Sequence, residues 1–309
     1  MDTRIFDVQI VVEQVLLKNQ NNTLPLAPSS KLNIAIIGPH LNSTIDLLSG
    51  PGYAGENKIV LGNTIEAAMQ RRAAASKGRI TIVGTAGGCD IVMGCLHADL
   101  SSVAVAVAQA DVVVAFVGLH PETGAMSTPE LIRAHNNCTE GEAWDRGDIK
   151  LCGEQQAILE TAIKPGKPLV TVMINGGTIA ASWIKQHSAA VLEAWYPGQA
   201  GGEAVAAVLF GEHTPGGRLP VTVYDETLVM RRNITDMSLR SGEGLTYLLQ
   251  PICIASVSLY RSVRVCAVYI LPGPVICTTK ALRCGLLVLG WHIQGGRHHS
   301  ALKAQQQKR

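Results

Sequence analysis

The chain has 309 residues, 47% apolar and 16% charged, which excludes a disordered protein and allows a full hydrophobic core. Its formal charge of +2 conceals an uneven distribution: residues 248–309 carry eight Lys or Arg and no acid, which leaves residues 1–247 net acidic. Such a body lacks the clustered basic residues of a nucleic-acid-binding surface. No uncharged apolar run reaches about 18 residues, so we expect no membrane span.

In chain order, residues 1–19 predict an amphipathic helix and lack the continuous apolar core of a signal peptide. Apolar, β-rich runs then alternate with helical patterns, which is typical of an α/β protein. The predicted strands are Asn33–Ile37, Arg79–Val83, Asp111–Val117, Leu169–Ile174, Ala190–Ala194 and Leu219–Val223. The predicted helices are Thr64–Ala75, Ser101–Ala110, Cys152–Ile163 and Gly202–Phe210. We therefore predict an α/β/α sandwich with a mostly parallel sheet of five or six strands.

The composition divides the chain into three segments. Residues 1–30 form a lead-in helix and linker, and residues 31–247 form the α/β domain. Residues 248–309 mix short apolar runs with Pro and Arg at irregular spacing, and their local signals agree on no single structure. We expect that last segment to be an aberrant, poorly ordered tail.

A long polar segment, Pro121–Cys152, follows the third predicted strand, where ligands of a wound sheet gather. A loop of this length is functional or disordered. It bunches charged residues around one Trp, which fits a solvated charged loop or an acid–base site. Glycoside cleavage needs two carboxyl groups, and a Glu whose pKa is raised by neighbouring carboxylates and partial burial can serve as the acid.

Three segments carry a family resemblance: KLNIAIIGPHLNST, TEGEAWDRGDIKLCGEQQAIL and VLEAWYPGQAGGEAVAAVLFGEHTPGGRLPVTVY. In this order they resemble the C-terminal sandwich domain of glycoside hydrolase family 3, from about Val11 to Tyr247. The resemblance implies a retaining β-glucosidase, β-xylosidase or N-acetylglucosaminidase, in which an N-terminal (β/α)8-type barrel gives the Asp nucleophile and the sandwich gives the acid/base. This chain lacks the barrel, so we expect it to be inactive alone on β-linked oligosaccharides and aryl glycosides.

The resemblance assigns the acid/base role to Glu142. Family loops of the form E-x-x-D-R place the acid three residues before an Asp-Arg pair, here Asp145 and Arg146. Glu140 is the neighbouring alternative. Glu243 lies in a second S-G-E-G string, but it follows the PGGRLPVTVY run and is discounted.

The other residues of the loop have supporting roles. We expect Asp145 and Arg146 to fix the loop by pairing with each other or with the backbone. Trp144 either borders a sugar subsite or anchors the loop on the sheet. No cofactor is expected.

The eight cysteines show no C-x-x-C spacing, so no metal site is predicted. Cys89 and Cys95 resemble a Cys pair of xylosidase-like members, and both a disulfide and free buried thiols remain open.

Four N-x-S/T sequons, at Asn21, Asn42, Asn137 and Asn233, suit a secreted glycoprotein or arise by chance. Full-length relatives are often secreted, whereas this chain shows no leader, so the localisation stays open.

Two alternatives remain. The first is a catalytically dead sugar-binding or interaction domain. The second is a nucleotide-binding α/β module, but the glycine-rich Pro197–Gly202 lacks the G-K-[ST] end of a phosphate loop. We interpret that segment as a tight strand-to-helix turn.

Overall fold

The computed structural model describes residues 13–26, 30–43, 46–48, 64–121, 138–141, 146–233, 235–242 and 245. The predicted tail, 248–309, lies outside these residues. Across the ranges given, no helix has both the length and the hydropathy needed to cross a membrane.

Eight strands are present in the described ranges. They are β1 (Val15–Asn19), β2 (Leu32–Ile37), β3 (Ile80–Ala86), β4 (Val112–Gly118), β5 (His120–Pro121), β6 (Thr139–Glu140), β7 (Leu169–Ile174) and β8 (Ala190–Glu193). Six of them form one sheet in the order β1-β8-β7-β4-β2-β3, and β5 pairs with β6 separately. Only β1 is antiparallel to its neighbour, β8. The mostly parallel sheet is therefore confirmed.

Helices cover both faces of this sheet. They are α1 (Ile65–Ala75), α2 (Leu100–Val107), α3 (Gln155–Ile163), α4 (Ser182–His187), α5 (Gly201–Leu209) and α6 (Thr227–Arg231). Residues of α1 and α5 pack into one hydrophobic core and residues of α2, α3 and α4 into a second. Strands β4 and β7 are buried along their whole length, as their continuous apolar runs require between two helical layers. The predicted α/β/α sandwich is confirmed.

Two predicted elements are wrong. Residues 219–223 form no strand; Pro220 has no backbone N–H to give to a ladder, and Val221 is 50% exposed. The amphipathic helix predicted for residues 1–19 is wrong over Val15–Asn19, which is β1. That segment pairs with β8, nearly 180 residues away, so its strand conformation depends on a partner that local sequence does not reveal.

Two disulfides lie in the part of the chain that the structure describes. Cys89 is bonded to Cys95, which settles the question left open by the sequence. Cys138 is bonded to Cys152, a pair that sequence reasoning did not identify. The second bond ties the start of β6 to the segment before α3, and so it fixes the end of the long loop near the sheet.

Candidate active site

The carboxylate of Glu140 is held by three donors where the parallel strands end. Glu140 closes β6, and its Oε1 accepts from the N–H of Gly176 over 2.5 Å and from the Tyr196 hydroxyl over 2.5 Å. Its Oε2 accepts from the N–H of Gly177 over 2.8 Å. Because both oxygens are engaged, this side chain acts as an anchor for the loop that follows it.

The two glycines after β7 make this approach of the carboxylate possible. A Cβ atom on Gly177 would lie 2.4 Å from Oε2 of Glu140, and one on Gly176 would lie 2.9 Å from the Tyr196 ring. The side chain of Asn175 donates to the carbonyl of Gly177 over 3.0 Å and so supports the turn. The glycine pair is thus a backbone cradle for one carboxylate.

Arg146 lies beside the same turn. Its guanidinium Nη2 donates to the backbone carbonyl of Thr178, the residue after the cradle. Burial lowers the pKa of Arg146, while the carboxylates of Glu140 and Asp148 act in the opposite direction. Glu140 and Arg146 therefore tie both ends of segment 141–145 to the three residues Gly176, Gly177 and Thr178.

A second carboxyl group, Glu193, is buried at the end of β8. It is 5% exposed, and burial raises its pKa to about 8. The N–H of Trp195 donates to it over 3.3 Å, and this contact and the side chain of Asn175 oppose the rise, while Glu140 adds to it. Glu193 is thus mostly protonated near neutral pH.

A buried carboxylate also bridges two histidines near this edge. Asp46 accepts from Nδ1 of His120 over 2.5 Å and from Nδ1 of His40 over 3.2 Å, and all three side chains are at most 1% exposed. Burial alone would raise the pKa of Asp46, but the hydrogen bonds and charges of the two imidazoles outweigh it and hold the pKa well below its usual range. An ionised carboxylate can only accept, so each Nδ1 carries a proton.

The histidine bridge connects to the Glu140 anchor through backbone pairing. His120 lies on β5 opposite Thr139 of β6, the residue before Glu140, and its N–H donates to the carbonyl of Cys138 over 2.7 Å. Burial raises the pKa of Tyr196, and the charges of Glu140 and Asp46 add to this effect, so the phenol stays a hydrogen-bond donor. The loops that follow β2, β4, β7 and β8 thus meet near Glu140, two residues before Glu142.

The structure places some of the predicted residues and not others. Glu142, Trp144, Asp145 and Glu243 lie outside the described residues. Glu140 and Arg146 are brought together at the cradle. The residues that sequence reasoning missed are Asp46, His40, His120, Asn175, Gly176, Gly177, Glu193 and Tyr196. One signal was available for the glycines: they follow the correctly predicted strand Leu169–Ile174 with one residue between, at the edge where ligands gather.

The described part of this edge offers carboxylates, a guanidinium and a phenol. Within the described ranges, no group of three His, Cys, Asp or Glu side chains has an arrangement that could hold a metal ion.

The turn at Pro197–Gly202 joins β8 to α5, and the N–H of Gly198 donates to the carbonyl of Leu47. Its interpretation as a strand-to-helix turn is therefore confirmed.

Curated relatives are β-xylosidases much longer than this chain. "Beta-xylosidase/alpha-L-arabinofuranosidase 1" of Medicago sativa subsp. varia is 31% identical over 238 residues, which cover 75% of this chain and 27% of the relative. "Probable beta-D-xylosidase 7" of Arabidopsis thaliana is 32% identical over 234 residues, 74% of this chain and 27% of the relative. The chain thus spans about a quarter of the length of these relatives.

Solved structures show the same fold. An exo-β-xylosidase in complex with a xylobiose aziridine activity-based probe superposes with a TM-score of 0.60 at 27% identity, over 77% of this chain and 27% of that one. A β-glucosidase from Erythrobacter marinus superposes with a TM-score of 0.55 at 26% identity, over 74% of this chain and 32% of that one. The family model described as glycosyl hydrolase family 3 C-terminal domain matches residues 14–247. The chain therefore belongs to glycosyl hydrolase family 3, as its C-terminal domain.

Proposed function

We propose that this chain supplies the acid/base half of the active site of a retaining β-xylosidase or β-glucosidase, with Glu142 as the acid/base. A barrel domain supplies the nucleophile, and the chain alone does not hydrolyse glycosides. Relatives that are β-xylosidases and β-glucosidases support the reaction type. In a retaining mechanism one carboxyl group attacks the sugar while the other protonates the leaving oxygen and later activates water.

The observation that carries this proposal is the double anchor around segment 141–145. Glu140 is tied to Gly176 and Gly177, and Arg146 is tied to Thr178. Both ends of the segment are therefore fixed to one turn at the carboxyl edge of the sheet. A catalytic acid needs a defined position within hydrogen-bond reach of the leaving oxygen, and two fixed ends favour such a position.

The anchor also separates the roles of the two neighbouring glutamates. Both oxygens of Glu140 accept hydrogen bonds from groups of this domain, so neither is free to protonate a leaving group without breaking a contact. Glu142 is the other glutamate of the E-x-E pair and the one at the family's acid position. Glu140 is thus the positioning residue in this proposal, and Glu142 is the catalytic one.

The test uses a fusion of this chain to the barrel-containing part of a family 3 β-xylosidase. Glu142→Gln should lower kcat/KM by about 10²- to 10⁴-fold on xylobiose, whose leaving group needs a proton. The loss of kcat/KM, which reports the glycosylation step, should be much smaller on dinitrophenyl xyloside, whose leaving group departs unprotonated. Glu243→Gln, in the similar S-G-E-G string, is the matched control and should leave both rates unchanged.

An equal loss of kcat/KM on both substrates with Glu142→Gln would contradict its role as the acid, because kcat/KM reports the glycosylation step. A fusion that binds xylo-oligosaccharides but never turns them over would favour the alternative, a catalytically dead sugar-binding domain. Clear hydrolysis of nitrophenyl xylosides by the unfused chain would contradict the proposed assignment of the nucleophile to a barrel domain.

A further inference from the structure

The two disulfides are typical of a fold that matures in an oxidising compartment. Cys95, Cys138 and Cys152 are at most 3% exposed, and they pack in one buried cluster with Leu119 and Ile179. Such structural disulfides persist in secreted proteins and in the lumen of the secretory pathway, and they are rare in the reducing cytosol. Asparagine glycosylation takes place in that same pathway, so a chain that carries these disulfides would pass through the compartment where its sequons can be modified.

The structure distinguishes between the four sequons. Asn21 is exposed in a short 3-10 turn after β1, and its third residue, Thr23, is described with it. Asn233 is also exposed, and its Oδ1 accepts from the N–H and the hydroxyl of Thr235 over 3.0 and 2.9 Å. Both asparagines are therefore accessible and accompanied by the hydroxyl residue that the modification requires.

The sequon at Asn137 differs from these two, because its other two residues, Cys138 and Thr139, are buried in the folded chain. Cys138 is 0% exposed and disulfide-bonded, and Thr139 is 3% exposed on β6. The sequon at Asn42 includes Thr44, which lies outside the described residues. The observations thus favour Asn21 and Asn233 and disfavour Asn137.

A glycan on Asn21 would not obstruct the candidate active site, because Asn21 lies at the opposite edge of the sheet. Strand β1 runs antiparallel to β8, and Asn19 at its end pairs with Ala190 at the start of β8. The N–H of Gln20 continues this edge by donating to the carbonyl of Ala189 over 2.7 Å. Asn21 therefore lies at the amino edge of the parallel strands, opposite the edge that holds Glu140.

We infer that Asn21 and Asn233 are sites of N-linked glycosylation and that Asn137 is not. The co-reactant is a lipid-linked oligosaccharide with a pyrophosphate leaving group. The amide nitrogen of each asparagine forms a bond to the anomeric carbon and loses one proton. The bond between that carbon and the pyrophosphate oxygen breaks, and its electron pair leaves with the pyrophosphate.

The experiment expresses the full chain behind a cleavable secretion leader in a eukaryotic cell and examines both the secreted and the retained protein. Peptide N-glycosidase in ¹⁸O water marks each modified asparagine, and mass spectrometry locates the mark. Asn21→Gln and Thr23→Ala should each remove one glycan from the electrophoretic pattern, and Asn233→Gln should remove another. Asn22→Gln is the matched control: it changes the neighbouring asparagine, leaves the sequon intact and should cause no shift.

Non-reducing peptide mapping of the same sample checks the two disulfides. Unmodified Asn21 and Asn233 in chains that carry both disulfides would overturn the inference, whether the protein is secreted or retained. A glycan on Asn137 would overturn the exclusion of that sequon. None of these results depends on hydrolase activity, so they stand or fall separately from the proposed function.

Discussion

Glu193→Gln should remove a large pH dependence from the stability of this domain. Glu193 is 5% exposed, and burial raises its pKa from the usual 4.5 to about 8. Glutamine has nearly the same shape, cannot ionise, and keeps an oxygen that accepts from the N–H of Trp195. The substitution therefore changes the protonation chemistry of the site more than its packing.

The sign of the effect follows from where the proton is bound. The unfolded chain loses the Glu193 proton near pH 4.5, whereas the folded chain keeps it up to about pH 8. Between these values the folded state binds more protons, so the free energy of unfolding falls as the pH rises. The gap corresponds to about 5 kcal/mol, reached at about pH 8. At pH 5 only about 0.8 kcal/mol of it is present.

The assay is urea-induced unfolding followed by tryptophan fluorescence at pH 5, 6.5 and 8. Glu193→Gln should be within about 1 kcal/mol of the unmodified chain at pH 5 and more stable than it at pH 8, by up to about 5 kcal/mol. Glu160→Gln, on the exposed side of α3, is the matched control and should show no such pH-dependent gain. A stability difference for Glu193→Gln that stays constant from pH 5 to 8 would refute the reasoning.

Two further substitutions test the supports of the loop. Asp46→Asn should cost about 3–5 kcal/mol at pH 7, because it removes the charge of a buried, hydrogen-bonded pair. Below about pH 4 the difference in the free energy of unfolding between Asp46→Asn and the unmodified chain should shrink, because the lowered pKa of Asp46 stabilises the fold only at higher pH. Urea unfolding at pH 7 and below pH 4 checks this. Gly177→Ala places a Cβ 2.4 Å from Oε2 of Glu140 and should lower both Tm and the activity of the fusion. Gly87→Ala, where a Cβ meets nothing within 4 Å, should change neither, and equal effects of the two would contradict the cradle.

Local sequence predicted the parts of the fold that depend on local patterns. Strands such as Leu169–Ile174 are continuous apolar runs and match the structure at both ends. Strand β1 was missed because VLLKN is equally compatible with a helix, and only its pairing with β8 decides its conformation. The false strand at residues 219–223 has a suitable composition but no partner among the described residues.

The candidate site was predicted only in part, for the same physical reason. The charged loop and its family pattern pointed to Glu140, Glu142 and Arg146. The bridge from Asp46 to His120 joins residues 74 positions apart, and the cradle for Glu140 comes from a turn 36 positions later. Such contacts arise from the parallel strand order, which brings loops that are distant in sequence to one edge of the sheet. The spacing of residues along the sequence therefore does not reveal them.

Azide rescue tests the central claim, that Glu142 is the acid/base, most directly. In the fusion with the barrel, Glu142→Gln should form the glycosyl-enzyme from dinitrophenyl xyloside but hydrolyse it slowly, because no base activates water. Azide needs no base, so it should accelerate turnover and give a β-xylosyl azide that NMR identifies by its retained configuration. No acceleration of Glu142→Gln by azide, or the same rescue of Glu140→Gln in its place, would contradict the assignment.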